Sequence, residues 1–368
     1  MIDGVEKWRA QALIDIQALN HNVLKIRDRC RSTRIMAVIK ANAYGHGLQI
    51  ITGAIADKVD GFAVATLAEG VECRQIQEKK PIVVLSEWWC EQQIITFVEC
   101  QLQPVIHSLE QLHWISQHDA QFNGDALDVW LKIDTGMNRL GISLDQYQAV
   151  YQQLSQLRPV KSISILSHLA NADDVTDGFT DHQIAEFEAA TVNLEHDRSL
   201  CNSAGLIQRP QRTYQWVRPG LMLYGGSPVI DQTVDQLDLR PVMHLKARIL
   251  SIKQTGSDQP VGYGGSYITR RKTLLGMIGI GYGDGYPRVV DDRACVVIGG
   301  CRAPIIGRVS MDMITVDLTD LPWAKMGDEV TLWGPGLTVD EVAKWAGTIP
   351  YELLCKVTMR IPRVIANG

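Results

Sequence analysis

The chain has 368 residues, of which 46% are hydrophobic and 21% charged, and its formal net charge is −5. This composition excludes a disordered chain, and an acidic protein without a Lys/Arg-rich block is not expected to bind nucleic acid. No apolar run is long enough to cross a membrane, and the opening MIDGVEKWRA lacks the pattern of a signal peptide, so we expect a cytoplasmic protein with no membrane partner.

Short apolar runs alternate with longer stretches over the first two thirds of the chain. The segment at 16–30, after Asp15, has helical apolar spacing. Eight short apolar runs follow, at residues 35–39, 61–66, 81–86, 102–107, 127–134, 162–170, 198–203 and 216–225. Most of the gaps are long enough for a helix, so the pattern predicts a (β/α)8 barrel of the TIM type, an α/β fold. The gap between Asn202 and Trp216 leaves room only for a short helix.

Beta-branched runs and closely spaced glycines replace this pattern in the last third of the chain. They predict a C-terminal mainly-β domain with chiefly antiparallel strands. Thr338 and Glu341 have the spacing of a capping box, which predicts a helix after Thr338, and Pro350 suits the start of another. We therefore divide the chain into residues 1–238 and 239–368, and we expect the first few residues to pack on the β domain.

Metal and nucleotide sites both lack their sequence signatures. The eight cysteines are scattered without a CxxC pair, which predicts free, mostly buried thiols and no metal site. No GxxxxGK[ST] motif occurs, and the segment at 279–286 has Asp284 where the third glycine of GxGxxG belongs. Nucleotide-dependent chemistry is therefore not expected.

A lysine ends the first apolar run of the predicted barrel. Lys40 is followed by small, polar and turn-forming residues up to Gly47. Because a desolvated ammonium is costly, a lysine in an apolar setting has a lowered pKa and becomes a nucleophile that can condense with an aldehyde such as pyridoxal phosphate. The alternative is a side chain that extends past the strand end into solvent and has no function.

Polar residues also follow the other strands, at the barrel end where such enzymes carry out their chemistry. They are Lys132 and Asp134 after the fifth run, Ser167 and His168 after the sixth, Asn202 and Ser203 after the seventh, and Arg218 in the eighth. Each alone has an ordinary explanation, such as a buried histidine, a helix cap or an interdomain arginine. Together they favour an active site, in which hydroxyls and backbone N–H groups of Tyr44, Ser203, Gly220 and Leu221 can bind a phosphate.

These residues lie in motifs that resemble the bacterial alanine racemases over essentially the whole chain. The motifs are AVIKANAYGHG at 37–47, WLKIDTGMNRLG at 130–141, NSAG at 202–205, VRPGLMLYG at 217–225, VGYGGSY at 261–267, GYGDGYPR at 281–288, GRVSMD at 307–312 and TIPYELLCKVTMRIPR at 348–363. The resemblance implies a pyridoxal-phosphate enzyme with an N-terminal barrel and a C-terminal β domain. Ser310, where many members have cysteine, and Asn138, at a variable position, remove none of the named groups.

Carried over by position, the resemblance implies roles for single residues. Lys40 bears the cofactor through a Schiff base, and Tyr263 is the second catalytic acid/base. The cofactor-binding residues are Lys40, Tyr44, His168, Asn202, Ser203, Arg218, Gly220, Leu221 and Tyr351, with Arg218 on the pyridine nitrogen and His168 beside the ring. Arg139, Met311 and Tyr282 resemble the substrate-binding residues, and Lys132 matches a lysine that is carbamylated in many members.

The chemistry explains why these residue types are needed. Racemisation removes the Cα proton from one face and returns one to the other, so Lys40 and Tyr263 would flank the substrate. Arg218 stays protonated and cannot give a proton to the pyridine nitrogen, which predicts little transamination. In the family the second domain completes the site of the other subunit, so we expect a homodimer with two shared sites, acting on alanine and supplying D-alanine for peptidoglycan.

Three other functions are weighed against this one. A racemase for serine or a broad-specificity racemase has the same chemistry, but the broad forms are typically exported. A decarboxylase of the same fold does not explain VGYGG or Arg218. A non-catalytic pyridoxal-phosphate carrier resembles a lone barrel, and the domain that carries Tyr263 argues against it.

Overall fold

The computed structural model describes residues 8–117, 127–192 and 195–366. Its first large unit is a closed barrel of eight parallel strands, which pair in chain order. After an initial strand β1 at Ala10–Ile14, they are β2 Arg34–Val38, β3 Gly61–Thr66, β4 Ile82–Glu87, β5 Gln103–Ile106, β6 Leu127–Lys132, β7 Val160–Leu166, β8 Arg198–Ser199 and β9 Trp216–Val217. The barrel closes where β9 pairs with β2, with Ile35 opposite Val217.

Helices connect the barrel strands, as the sequence predicts. They are α1 Ile16–Cys30, α2 Lys40–Tyr44, α3 Leu48–Ile55, α4 Leu67–Ile76, α5 Gln93–Glu99, α6 Leu109–Gln117, α7 Tyr147–Gln156, α8 Phe179–Thr191 and α9 Ser203–Gln208. Asp15 caps α1 by accepting a hydrogen bond from Ala18 N at 2.8 Å, which fixes the start of that helix at its predicted residue. The connection after β8 holds only the short helix α9, again as predicted.

The last two strands are much shorter than their apolar runs. The runs at 198–203 and 216–225 contain strands of two residues each. Ser203 already begins α9, and Pro219 has no N–H to donate to a ladder, so neither strand continues. The apolar residues of the eighth run form a 3₁₀ turn at Leu221–Tyr224, where all four are buried. The two strands therefore lie at the predicted positions, but most of each apolar run is outside the strand.

The second unit consists of a large, mainly antiparallel sheet, a separate two-stranded sheet and two helices. Its elements are β10 Met243–Thr255, β11 Pro260–Val261, β12 Tyr267–Ile268, β13 Thr273–Ile278, β14 Cys295–Ile298, β15 Cys301–Pro304, β16 Ile314–Asp317, β17 Glu329–Trp333, α10 Val339–Ala346, α11 Pro350–Lys356 and β18 Arg363–Ile365. The long strand β10 pairs with β1, β13 and β17. Thr338 and Glu341 form the predicted capping box of α10, and Pro350 begins α11.

The chain's first described strand belongs to this second sheet. β1 pairs antiparallel with β10 and parallel with β18, so it lies outside the barrel. The expectation for the first few residues falls on residues 1–7, which are outside the described ones. The division of the chain at residues 238 and 239 stays a prediction.

Contacts between the two units meet at Gly45, five residues after the predicted active-site lysine. Arg363 of β18 donates through Nε to the carbonyl oxygen of Gly45 at 2.9 Å. A Cβ on Gly45 would lie 2.1 Å from the carbonyl oxygen of Leu354 in α11, so only glycine allows this approach. The segment after Lys40 is therefore seated on the second domain. Within residues 8–117, 127–192 and 195–366, no helix has the length and apolarity needed to cross a membrane.

Candidate active site

Lys40 lies at the start of a left-handed turn directly beyond β2. The φ angles of Ala41, Asn42, Ala43 and Tyr44 are 54°, 53°, 53° and 51°. Non-glycine residues rarely adopt this conformation, because it brings Cβ against the following carbonyl oxygen at a cost of about 1–2 kcal/mol per residue. We call residues 40–44 the Lys40 turn. Four strained residues in succession beside a buried strand indicate a segment that the surrounding structure holds in place.

The Lys40 side chain is half-buried among positive charges. Burial lowers the pKa of its amino group, and Arg139 and Arg218 lower it further. The thiol of Cys355 and the carboxylate of Glu69 oppose this effect. The net effect moves the protonation equilibrium towards the neutral amine, which is the nucleophilic and proton-accepting form.

Lys132 belongs to the same cluster of cations. It ends β6 as a buried side chain, and burial together with Arg139 and Arg218 lowers its pKa to about 8. Neither Lys132, Arg139 nor Arg218 forms an ion pair with any residue in the described part of the chain. Because buried charges normally have partners, this cluster fits an anionic group that is not part of the protein.

Arg218 is buried at the end of β9 and is held by neutral acceptors. Its Nη1 donates to Ser199 Oγ at 2.6 Å, and its Nη2 donates to the carbonyl oxygen of Ser167 at 2.5 Å. Burial lowers the pKa of its guanidinium to about 10, so it remains protonated near neutral pH. The side chain is therefore a fixed cation with a defined orientation.

His168 lies beside this arginine but is not bonded to it. Burial, then Arg218 and Lys132, lower the pKa of the imidazole well below its ordinary value, so it is neutral at pH 7. No hydrogen bond joins the side chains of His168 and Arg218 in the described structure. Ser199 and the Ser167 carbonyl hold the arginine instead, and the place of His168 beside the cofactor ring stays a prediction.

Hydroxyls and backbone N–H groups converge where a phosphate was predicted. Ser203 Oγ accepts hydrogen bonds from Gly220 N at 2.8 Å and from Met222 N at 3.3 Å. A Cβ on Gly220 would lie 2.5 Å from the hydroxyl oxygen of Tyr44, so the glycine leaves space for that hydroxyl. The ring of Tyr351 lies 5.9 Å from that of Tyr44. This donor set fits a phosphate group, and with Lys40 and Arg218 nearby it fits pyridoxal phosphate.

Two other predicted cofactor residues have structural roles at this place. Asn202 caps α9, since its Oδ1 accepts a hydrogen bond from Gly205 N at 2.9 Å. The side chain of Leu221 is fully buried at the start of the 3₁₀ turn. Both lie next to the phosphate donors, and their contact with a cofactor stays a prediction.

Arg139 is presented by a loop that Asp134 organises. Asp134 Oδ1 accepts hydrogen bonds from Gly136 N at 2.9 Å and Asn138 N at 3.2 Å. Gly141 has a φ of 133° and its Cβ would lie 2.8 Å from Asp134 N, so the loop closes tightly on itself. Arg139 is exposed at its end, within electrostatic reach of Lys40 and Lys132.

Three second-domain residues of the predicted site are not joined to Lys40 within one chain, unlike Tyr351, whose ring contacts that of Tyr44. Tyr263 is 70% exposed, Met311 52% and Tyr282 39%. Tyr282 and Met311 lie close together, because Tyr282 N donates to the carbonyl oxygen of Ser310 at 3.0 Å. In residues 8–117, 127–192 and 195–366, no hydrogen bond or ring contact connects these three side chains to Lys40.

Sequence reasoning missed three residues that support the site. Glu69, His46 and Ser199 contact the Lys40 turn or Arg218. Glu69 follows Thr66 at the spacing of a capping box, a signal that was visible in the sequence. Nothing in the local pattern distinguishes Ser199 or His46, because their partners are distant along the chain or are backbone atoms.

Two family models cover nearly all of the chain. "Alanine racemase, N-terminal domain" matches residues 14–228, and "Alanine racemase, C-terminal domain" matches residues 242–365. The chain belongs to the alanine racemase family. The family confirms the resemblance and the fold class of barrel plus β domain, and it makes the chain a pyridoxal-phosphate-dependent racemase.

Individual family members are similar over their full lengths. "Alanine racemase, catabolic" of Pseudomonas putida is 41% identical over 354 residues, which are 96% of this chain and 98% of that protein. The biosynthetic alanine racemase from Pseudomonas aeruginosa matches with a TM-score of 0.93 at 39% identity, covering 98% of this chain and 99% of that one. The alanine racemase from Bartonella henselae, a structure with covalently bound pyridoxal phosphate, matches with a TM-score of 0.88 at 30% identity, covering 98% and 100%.

A metal-dependent reaction has no visible ligand set in the described part of the chain. No group of three or more His, Cys, Asp or Glu side chains there is arranged to hold a metal ion. All eight cysteines are free thiols, four of them buried.

Proposed function

We propose that this chain interconverts L-alanine and D-alanine, with Lys40 and Tyr263 as its two acid/base groups. The observation that carries the proposal is the position of Lys40 at the carboxyl end of β2, where burial and then the cations Arg139 and Arg218 lower the pKa of its amine. A neutral amine is required to accept a Cα proton near neutral pH. A racemase also needs a second group on the opposite face, and Tyr263 is our candidate.

Pyridoxal phosphate would be held by the groups that converge around Lys40. The hydroxyls of Tyr44, Ser203 and Tyr351 and the N–H groups of Gly220 and Leu221 would bind its phosphate. Arg218 would lie on its pyridine nitrogen, with His168 and Asn202 beside it. The chemistry that the cofactor supplies when bound is an electron sink for the carbanion at Cα.

The protein's own residues would move the protons. With one enantiomer, Lys40 Nζ takes the Cα proton and the Tyr263 hydroxyl gives a proton to the other face; the opposite enantiomer reverses these roles. Arg218 keeps its proton, because its pKa of about 10 is far above neutral. It therefore fixes the orientation of the ring without exchanging a proton, which disfavours transamination.

Lys132 is proposed to be carbamylated. Its pKa of about 8 leaves about a tenth of the amine neutral at pH 7, far more than for an ordinary lysine. The neutral Nζ forms a bond to the carbon of CO₂ and releases a proton, so that a buried cation becomes an anion. Such an anion would relieve the repulsion with Arg139 and orient its guanidinium towards the substrate carboxylate. Met311 and Tyr282 would complete the substrate side.

The exposure of Tyr263 supports a homodimer with shared sites. An acid/base group that works beside a bound cofactor needs a site from which water is excluded, yet Tyr263 is 70% exposed in the single chain. A second copy that supplies Tyr263, Met311 and Tyr282 to the barrel rim would bring both acid/base groups together and cover these side chains. In a twofold dimer each subunit would then complete the other's site.

The physiological role is proposed as D-alanine supply for peptidoglycan in the cytoplasm. The names of the relatives differ on this point, since the Pseudomonas putida protein is named catabolic and the Pseudomonas aeruginosa protein biosynthetic. Both roles use the same reaction, so the geometry of the site does not separate them.

The test is proton NMR of each alanine enantiomer with the purified holoenzyme in heavy water, combined with optical rotation. The proposal predicts loss of the Cα–H signal from both enantiomers together with decay of the rotation. A panel with serine and lysine ranks the substrates, and faster reaction of serine would replace alanine as the substrate. Persistence of the Cα–H signal in cofactor-loaded protein would favour the carrier and contradict the racemase.

A further inference from the structure

Four consecutive left-handed residues after Lys40 need partners that hold them, and two side chains supply these partners from opposite ends. Glu69 contacts the N–H groups at the beginning of the Lys40 turn, and His46 contacts the carbonyl groups at its end. Neither side chain is among the acid/base, cofactor or substrate residues named above. Their contacts explain how a strained segment keeps one conformation.

Glu69 joins the Lys40 turn to the next barrel strand. Its Oε1 accepts hydrogen bonds from Ala41 N at 2.6 Å and Asn42 N at 3.4 Å. Its Oε2 accepts from Ala65 N at 3.0 Å and Thr66 N at 3.2 Å, at the end of β3. One carboxylate therefore binds two N–H groups on each of two neighbouring strand ends. These four hydrogen bonds require a side chain whose two terminal atoms both accept, as they do in a carboxylate. An amide of the same shape would place an NH₂ group against backbone N–H donors.

His46 holds the other end of the turn from inside the protein. Its Nδ1 lies 3.0 Å from the carbonyl oxygen of Ala43 and 2.9 Å from that of Tyr44. Burial lowers the pKa of the ring to about 4, so the neutral ring must carry its proton on Nδ1 to donate to these two acceptors. The ring is fully buried, which makes this donor part of a fixed structure.

An aromatic stack connects this end of the turn to β2. The ring of Tyr224 lies 4.5 Å from His46 and 4.8 Å from Tyr44. The Tyr224 hydroxyl donates to the carbonyl oxygen of Val38 at 2.9 Å, at the last residue of β2. The Lys40 turn is thus bound to the strand that precedes it and to the strand beside it.

We propose that Glu69 and His46 are positioning residues for the reaction, which fix the Lys40 turn so that the Lys40 amine and the Tyr44 hydroxyl keep their places relative to each other. The proposal rests on the proposed roles of Lys40 and Tyr44. Enzymes depend strongly on such placement, since a displacement of about 1 Å can lower a rate by about a hundredfold. The hydrogen bonds that Glu69 accepts from Ala41 N and Asn42 N are not needed to cap α4.

The experiment compares Glu69→Gln with Glu341→Gln in the holoenzyme. Glu341 forms a capping box with Thr338 in α10, as Glu69 does with Thr66 in α4, but Glu341 does not contact the Lys40 turn. Glutamine also serves in a capping box, so both variants keep an acceptor for the helix cap and should have similar melting temperatures. Only Glu69→Gln should lower kcat, by about a hundredfold with little change in KM for alanine. Only this variant should speed hydrogen exchange at residues 41–47 and shift the pH titration of the Lys40–cofactor absorbance to lower pH.

A second pair of variants tests the other end of the turn and does not depend on the folding of Glu69→Gln. His46→Phe keeps a ring in the stack but has no donor, and His46→Asn keeps a donor near the position of Nδ1. The phenylalanine variant should lose kcat and gain hydrogen exchange at residues 41–47, and the asparagine variant should recover part of both.

Three results would overturn these inferences in distinguishable ways. If Glu69→Gln matches Glu341→Gln in kcat, exchange and titration, Glu69 is only a helix cap. If His46→Phe and His46→Asn both behave as wild type, the ring is only packing. Lys40→Ala is the reference variant for the proposed function. If Lys40→Ala racemises alanine at the full rate, the proposed role of Lys40 is wrong and the positioning proposal loses its premise. If Lys40→Ala is inactive but Glu69→Gln is unaffected, only the positioning role of Glu69 is refuted.

Discussion

Arg218 and Ser199 form a buried hydrogen bond of 2.6 Å between Nη1 and Oγ, which joins the ends of the last two barrel strands. The same serine hydroxyl donates to the carbonyl oxygen of Trp216 at 2.9 Å. The serine thus orients a buried cation that has no carboxylate partner in the described chain. Ser199 supplies the side-chain acceptor for this arginine, beside the backbone carbonyl oxygen of Ser167.

Ser199→Ala should destabilise the protein. It removes a hydrogen-bond partner from a buried guanidinium N–H and from the Trp216 carbonyl, which should lower the free energy of unfolding by about 1–3 kcal/mol. Urea denaturation of the holoenzyme measures the effect. Ser162→Ala is the control, because that hydroxyl bonds the exposed side of Asp128 at 2.5 Å, and its effect should stay within about 0.5 kcal/mol. Equal losses in the two variants would contradict the special role of Ser199.

Gly220→Ala should weaken cofactor binding. The new Cβ would lie 2.5 Å from the Tyr44 hydroxyl oxygen and would displace it from the phosphate donors. Loss of one hydrogen bond to a charged group corresponds to about 1.5–3 kcal/mol, so the Kd for pyridoxal phosphate should rise about ten- to a hundredfold. Titration of the cofactor-free protein, followed by absorbance, gives the Kd.

Gly53→Ala is the matched control for this substitution. A Cβ on Gly53 in α3 meets no atom within 4 Å, and alanine is the better helix former by up to about 1 kcal/mol. This variant should bind the cofactor as wild type does. If Gly220→Ala also kept the wild-type Kd for pyridoxal phosphate, Tyr44 would not contribute to the phosphate site.

The stability of the protein should depend on the protonation of Lys132. Its pKa is lowered from 10.5 to about 8 in the folded state, so between these values the unfolded state binds more protons and the free energy of unfolding rises with pH. Below about pH 8 the buried charge costs about 3 kcal/mol. Lys132→Met should therefore stabilise the protein more near pH 7 than near pH 10 in CO₂-free buffer, as measured by urea denaturation.

Carbamylation of Lys132 can be tested by a measurement that does not depend on protein stability. With ¹³C-labelled bicarbonate, wild type should show a carbamate carbon signal by NMR that grows as the pH rises towards the pKa of about 8. Lys132→Met should lack this signal. A wild-type spectrum without it would mean that Lys132 remains an unmodified amine.

Mixed subunits test the shared active site. Lys40→Ala and Tyr263→Phe homodimers should both be inactive. In a heterodimer of the two variants, one site has both defects and the other has neither, so random mixing after dissociation should restore about a quarter of wild-type activity. Recovered kcat after mixing, with unmixed variants as controls, measures this. No recovery, with heterodimers shown by mass spectrometry, would place both residues of a site on the same chain.

Much of the fold was readable from the sequence because its signals are local. All eight barrel strands occur at predicted runs, and the start of α1 follows from Asp15. The capping box at Thr338 and the proline at 350 marked α10 and α11 correctly. The strand at Ala10–Ile14 was not predicted as a strand, since its partners β10 and β18 lie more than two hundred residues away.

Some features of the candidate site were likewise predictable from the sequence, and others were visible only in the structure. Lys40, the polar residues at the strand ends and the motifs were visible in the sequence, because a lysine after an apolar run and glycines in turns are features of the chain itself. The sequence alone thus determined the barrel, the second domain and the identity of the chemical groups. Only the tertiary structure decided that Glu69 and His46 hold a left-handed turn, that Ser199 orients Arg218, and that Tyr263 remains exposed in one chain. These relationships depend on distances between distant segments, which local periodicity and composition do not encode.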